Sequence, residues 1–369
     1  MLKLKSFSVF ILSLFIAIAF SVNVAAESSD YGISELYDAV PDSAKEFIND
    51  KDITPDGGGI TELKIEDVVD YIGELIAENV KQPVAMLTSL LAVIILSSVF
   101  NGLKNSNNSS VSQAFSLISA LSSAIIISSV ISDILDGINT AITSAANFML
   151  TYIPVLAGVI AVGGHASTAA VFSSVMMISI EILTQITANI LFPMTCCLIG
   201  ISAAGGLNKD LKIDKLGDGL KKVIIWGLGF IMTVFIGFLT LQSNIAASAD
   251  SVGLRAARFA VSTSVPFVGG AVSDALSTVK TSLEVLKSGI GSFGIVIGCC
   301  VLFPVLINAL CYKFFLFIAG VLSEVFDSED TLRMIKCGEN VLSIVISMII
   351  CLFLFITIST TLMLIICRG

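Results

Sequence analysis

Four charged side chains stand where an apolar chain has least reason to keep them. Asp250, Arg255, Arg258 and Asp274 lie within residues 241–279, together with Gln242, Pro266 and the pair Gly269 and Gly270. Ionisable groups among membrane helices mark ion or substrate paths, or pairs buried against one another. Arg255 and Arg258, three apart, put both guanidinium groups on one helix face, with Leu254, Ala257 and Val261 on another. Asp250 sits about one turn earlier, within reach of Arg255 if the helix continues. Proline removes a backbone donor and glycine permits close approach or a bend, so residues 266–270 interrupt that helix. Two readings follow. One is a re-entrant hairpin lining a polar cavity, since broken backbone at membrane depth needs protein or water around it. The other is a surface loop with an interfacial helix whose arginines snorkel to headgroups.

Other chemistry finds less support. His165 is the only histidine and follows Gly163 and Gly164 at a helix junction, with no sequence-near carboxylate, which suits a structural role better than catalysis or a metal site. No nucleophile and base pair is recognisable, so neither catalytic residues nor cofactors are expected. The eight cysteines fall mostly in apolar runs and none lies between residues 27 and 81, so they read as small hydrophobes rather than a disulfide framework. The run Gly289-Ile290-Gly291-Ser292-Phe293-Gly294 lacks the Lys-Ser or Lys-Thr ending of a phosphate loop and points to close helix packing.

The elements that must position these residues are membrane helices. Of 369 residues, 55% are apolar and 13% charged, and runs of about 20 apolar residues recur from Pro83 onward. The expected fold is all-α, a polytopic helical membrane protein, with two repeated helix groups and re-entrant or broken helices as a further expectation. Helices are expected near 84–100, 111–132, 138–162, 167–187, 188–204, 222–242, 290–308, 310–323 and 340–366. An apparent repeat supports the two groups. Ala145-Ala146-Asn147-Phe148, Pro154 and Leu191-Phe192-Pro193 match Ala256-Ala257-Arg258-Phe259, Pro266 and Leu302-Phe303-Pro304 at a near-constant offset, giving candidate repeats at 111–206 and 222–323.

Three regions are expected. Residues 1–26 read as a signal peptide: Lys3 and Lys5, an apolar run, then small residues before Glu27; an uncleaved anchor is the alternative. Residues 27–81 form an acidic extracytoplasmic helical segment that holds more than half of the 29 carboxylates. It is either a docking surface for a partner or a cap on the protein's own membrane face, and its charge argues against nucleic acid. Residues 82–369 form the multi-span domain. The basic cluster Lys209, Lys212, Lys215, Lys221 and Lys222 is expected in the cytoplasm, with an acidic turn at Asp133 and Asp136 outside.

The charged stretch also carries a family resemblance. Asp250-Ser251-Val252, Arg255-Ala256-Ala257-Arg258-Phe259-Ala260-Val261-Ser262, Val265-Pro266-Phe267-Val268-Gly269-Gly270-Ala271 and Ser273-Asp274-Ala275 closely resemble the stage III sporulation protein AE family of endospore-forming bacteria. The leader, acidic segment and spans agree in plan; residues 262–265 depart from it, since bulkier side chains usually precede the proline. The resemblance implies a subunit of the transenvelope complex joining mother cell and forespore. It would sit in the mother-cell membrane facing the forespore, beside the other stage III sporulation A proteins and stage II sporulation protein Q, with any nucleotide hydrolysis left to an ATPase of the same operon. It leaves open whether the chain forms part of a channel or secretion path, or only a scaffold for its partners.

Overall fold

A computed structural model of the chain describes residues 32–102, 109–207, 213–264 and 269–366, with the side chains of 61, 100–102, 109–113, 116, 201–216, 253–280 and 366 outside the description. Helices α1 (Ile33–Asp38), α2 (Asp42–Asp50) and α3 (Ile65–Asn79) come first, with a 3₁₀ turn at Ile60–Glu62 before α3. Helices α4 (Lys81–Gly102), α5 (Ser109–Val162), α6 (Ala166–Ile186), α7 (Phe192–Leu207), α8 (Ile213–Ser264), α9 (Gly269–Val325) and α10 (Glu329–Ile366) follow. A π turn at Thr187–Leu191 joins α6 to α7, where Pro193 could not serve as a backbone donor. No strand occurs among the described residues.

Six stretches among the described residues are long and apolar enough to cross a membrane: Lys81–Val99, Leu117–Val162, Ala166–Gly200, Gly217–Val252, Thr281–Val325 and Glu329–Ile365. The protein is an all-α polytopic helical membrane protein. Helices α5, α8 and α9 run for 54, 52 and 57 residues, about 80 Å each at 1.5 Å per residue. The hydrocarbon core is about 30 Å thick. Each of the three must therefore project well beyond it or tilt strongly.

Two expected breaks are absent. Residues 111–132 and 138–162 belong to one helix, and the acidic pair Asp133 and Asp136 sits exposed on its outer side rather than in a turn. No proline lies between them, and exposed carboxylates are solvated without any interruption of the backbone. Likewise residues 290–308 and 310–323 belong to one helix, α9, which has no break at residue 309 and runs on through Pro304; neighbouring helices tolerate the lost donor in such settings. Of the proposed repeat landmarks, Pro154 lies inside α5, Pro193 in the first turn of α7, Pro304 inside α9, and Pro266 outside the described residues.

The antiparallel pair α9 and α10 forms the centre. Every residue from 289 to 303 is buried, as expected of a helix apolar on all sides. Its glycines each admit a different neighbour. A methyl group at Gly291 would press on Leu364, one at Gly298 would touch Ile356, and one at Gly294 would overlap the Tyr152 ring of α5. Tyr152 is fully buried, stacks on Phe148 at 5.6 Å, and directs its hydroxyl to Thr360 Oγ1 of α10 at 3.3 Å. Three helices thus meet on one aromatic side chain, and the small residues of 289–294 provide the close packing expected of them.

The acidic segment folds back on this centre. Leu36, Val40, Ala44, Ile48, Ile53 and Ile60 are buried, α1 packs on α5, and both α2 and α3 pack on α9. The Asp56-Gly57 backbone lies against Gly289, so closely that a side chain at Gly289 would collide with it. Gly57 and Gly59 take positive φ of 98° and 71°, conformations that favour glycine. Lys51 Nζ reaches Asp67 Oδ1 at 2.9 Å, and the Phe47 and Tyr71 rings lie 4.6 Å apart, which fixes α2 against α3. Burial beside Cys300 and Cys299 pushes the Tyr71 hydroxyl above its ordinary range. The inner face of the segment is thus a cap on the protein's own bundle, while Ile65, Val69 and Ile76 stay exposed along α3.

Candidate functional site

Helix α8 shows two different sides. Val223, Trp226, Phe230, Val234, Phe238, Leu241, Ile245 and Val252 are exposed at the three-and-four spacing of a single stripe. That stripe runs for about 44 Å, long enough to face lipid through the whole hydrocarbon core. The opposite side is held by polar contacts near both ends. At the first end Lys221 Nζ donates to Asn340 Oδ1 at 3.0 Å, and Asn340 Nδ2 donates to Asp218 Oδ1 at 3.1 Å, joining α8 to α10.

At the other end Asp250, 8% exposed, grips the start of α6. The Ser167 amide donates to Oδ1 at 2.9 Å, the Thr168 amide to Oδ2 at 2.8 Å, and the Thr168 hydroxyl to Oδ2 at 2.6 Å. The first amides of a helix have no partner within it, and the helix dipole favours a negative charge there. His165, at the capping position of α6, makes no side-chain cap bond; the cap comes instead from a carboxylate on another helix.

The corner that offers these amides is closed by its own backbone. His165 N–H donates to Ile160 O at 3.2 Å and Gly164 N–H to Ala161 O at 3.0 Å, with Gly164 at φ 92°. This is the Schellman arrangement, which requires a left-handed residue at the position Gly164 fills. Asp327 takes the same role between α9 and α10 at φ 52°, with Ser328 N–H on Ser323 O at 2.9 Å.

Of the residues singled out by sequence, Gln242 is half-buried on α8 and Asp250 is the interhelical cap. Arg255 and Arg258 lie on the last turns of α8, while Gly269, Gly270 and Asp274 lie on the first turns of α9. The side chains of these five are outside the description, and Pro266 lies outside the described residues. The two long helices carry the charged stretch at their joint.

Sequence reasoning missed the partners of Asp250. Ser167 and Thr168 just after Gly163-Gly164-His165 look like an ordinary helix start, and nothing local connects them to a residue 82 or 83 positions later. It also missed the company of His165. Glu284 and Lys287 of α9 share a crevice with it. No group of three or more His, Cys, Asp or Glu side chains suited to a metal ion occurs among the described residues.

A bundle of apolar helices, several far longer than a bilayer is thick, with an exposed apolar stripe along α8 and an interior carboxylate cap, defines a polytopic membrane protein. Residues 51–367 match the Stage III sporulation protein AE family, and the chain belongs to that family. It is similar to Stage III sporulation protein AE of Bacillus subtilis (strain 168), with 30% identity over 176 residues, 47% of this chain. The match spans 44% of that relative's length. No solved structure matches the chain. The protein is therefore a sporulation membrane protein.

Proposed function

We propose that the chain is a membrane subunit of a transenvelope channel or secretion-like complex between mother cell and forespore. In this reading it lies in the mother-cell membrane, with the acidic segment α1 to α3 outside the cytoplasm. Other stage III sporulation A proteins and stage II sporulation protein Q are the partners the family implies, and an associated ATPase would supply energy.

The bonding of Asp250 to the start of α6 supports this reading. Asp250 is committed to the start of α6, so the charged stretch divides into an anchoring residue and a following segment, Arg255 to Asp274, at the joint of α8 and α9. Intramembrane charge is costly and generally kept for work. Gln242, Arg255, Arg258, Pro266, Gly269, Gly270 and Asp274 are the residues we assign to a polar path.

A scaffold that assembles partners and moves nothing itself is favoured by a different observation, the solid packing of α9 across residues 289–303. That packing leaves the interior around α9 closed, so a path through the complex would run along the α8 and α9 joint or between subunits. Charge reversal at Arg255 and Arg258, scored separately for complex assembly and for solute passage into the forespore, tests the choice. Intact assembly with lost passage supports the path; lost assembly supports the scaffold.

A further inference from the structure

One cross-section of the bundle carries two unlike surfaces. On α10, the Phe355 ring meets Phe235 of α8 at 4.4 Å, and two residues earlier Phe353 meets Phe303 of α9 at 5.7 Å. A methyl group at Gly298 of α9 would touch Ile356. Phe235 is therefore level with residues 298–303 of α9. Tyr71 of α3 stands beside Cys299 and Cys300, so α3 crosses the same level.

What the helices expose at this level differs from side to side. On α8, Phe230, Val234 and Phe238 are exposed around Phe235. On α3, Glu66, Asp70, Glu74 and Glu78 are exposed at intervals of four, one line of carboxylates with no basic residue between them. The α5 surface agrees with α3. Its Phe148 ring lies 6.5 Å from Phe293 of α9, and every exposed α5 residue between Ile125 and Leu150 is polar. That polar run, from Ser129 to Asn147, is about 27 Å long. Helix α1 packs on α5 while α3 packs on α9, which ties the polar run to the acidic segment.

No single solvent suits the whole cross-section. Hydrocarbon all round would strand a line of carboxylates where charge is costly. Water all round would leave the α8 stripe as an apolar patch of the kind that soluble surfaces keep small. We propose that water reaches down the α3 and α5 side of the bundle to the depth at which α8 faces acyl chains, so that the acidic segment walls an aqueous vestibule at membrane depth. Polar surface is tolerated at that depth where it borders a water-filled cavity. The vestibule concerns the surroundings of this chain alone and is independent of whether the complex passes solute or only assembles.

Tryptophan quenching tests it, because Trp226 is the only tryptophan. The full chain carrying Trp226→Phe, with either Phe238→Trp or Asn147→Trp, is placed in phosphatidylcholine nanodiscs. The tryptophan at position 238 is expected to lose most of its emission to lipid brominated at mid-chain and little to acrylamide, and the one at position 147 to show the reverse. Val234→Trp and Thr143→Trp stand in where either variant does not fold. In the same discs a water-soluble carbodiimide with glycine ethyl ester is expected to modify Asp70 and Glu74, read by mass spectrometry. Quenching of both positions by brominated lipid overturns the vestibule, as does quenching of both by acrylamide. So does a tryptophan at 238 that neither quencher reaches, or an Asp70 and Glu74 pair that stays unmodified. Each of these failures leaves solute passage by the assembled complex to be read separately.

Discussion

The carboxylate of Asp250 receives the amide of Thr168 at 2.8 Å across 82 residues of sequence, so the most conspicuous acid in the apolar half of the chain caps a helix other than its own. Replacing Asp250 by Ala should cost about 2 kcal/mol, near the top of the range for lost caps, because a buried helix start loses charge-assisted bonds. Thr168→Val keeps the amide bond and loses only the hydroxyl bond, about 1 kcal/mol. Thermal midpoints of the two variants in detergent should rank in that order.

Gly294→Ala should be destabilising by about 1–3 kcal/mol, the usual cost of overpacking, since the added methyl overlaps the Tyr152 ring. Tyr152→Ala alone leaves a cavity. If the two sites meet as described, the double variant is less damaged than the sum of the singles. A double-mutant cycle on thermal stability checks this, and strict additivity would rule out the contact.

Trp226 is the only tryptophan and is 81% exposed on the outer stripe of α8. In nanodiscs its emission should be blue-shifted, quenched by brominated lipid and little affected by aqueous acrylamide. Quenching by acrylamide instead would put this stripe in water.

The Lys51 and Asp67 pair gives a pH prediction. Its hydrogen bond to Asp67 raises Lys51 above its ordinary 10.5. The bond to Lys51, followed by the Lys64 amide, lowers Asp67 below its ordinary 3.8. A raised lysine contributes stability that is complete below about 10.5 and lost as pH rises through its folded value; a lowered carboxyl contributes stability that is present above about 3.8 and lost as pH falls through its folded value. The link between α2 and α3 therefore holds in the window between. At pH 9, Lys51 should acylate more slowly in the wild type than in Asp67→Asn, read by mass spectrometry. Equal rates would show that the pair does not form.

Much of this architecture is legible in the sequence because membranes impose long apolar runs, and the charged stretch carries its family pattern on contiguous residues. The packing use of Gly289, Gly291 and Gly294 is legible for a similar reason, since small residues at close spacing have few other uses in apolar helices. What is not legible depends on residues far apart in the chain. Asp250 looks like a local partner for Arg255, yet its bonds go to Ser167 and Thr168. His165 has no carboxylate near it in sequence, yet Glu284 lines the same crevice. The pair Asp133 and Asp136 reads as a turn because charge usually ends a span, but a helix longer than the bilayer can carry charge at mid-length and continue.

One stretch of chain is thus divided between an anchor, Asp250, and a working segment that follows it. The most direct measurement is solute passage into the forespore per assembled complex, compared among wild type, Asp250→Ala and the double reversal Arg255→Glu with Arg258→Glu. Asp250→Ala is predicted to lower the amount of assembled protein while leaving passage per complex near wild type. The double reversal is predicted to leave the amount unchanged and to abolish passage per complex. A double reversal that depletes the complex as Asp250→Ala does, with normal passage in whatever assembles, would contradict the division and leave the whole stretch structural.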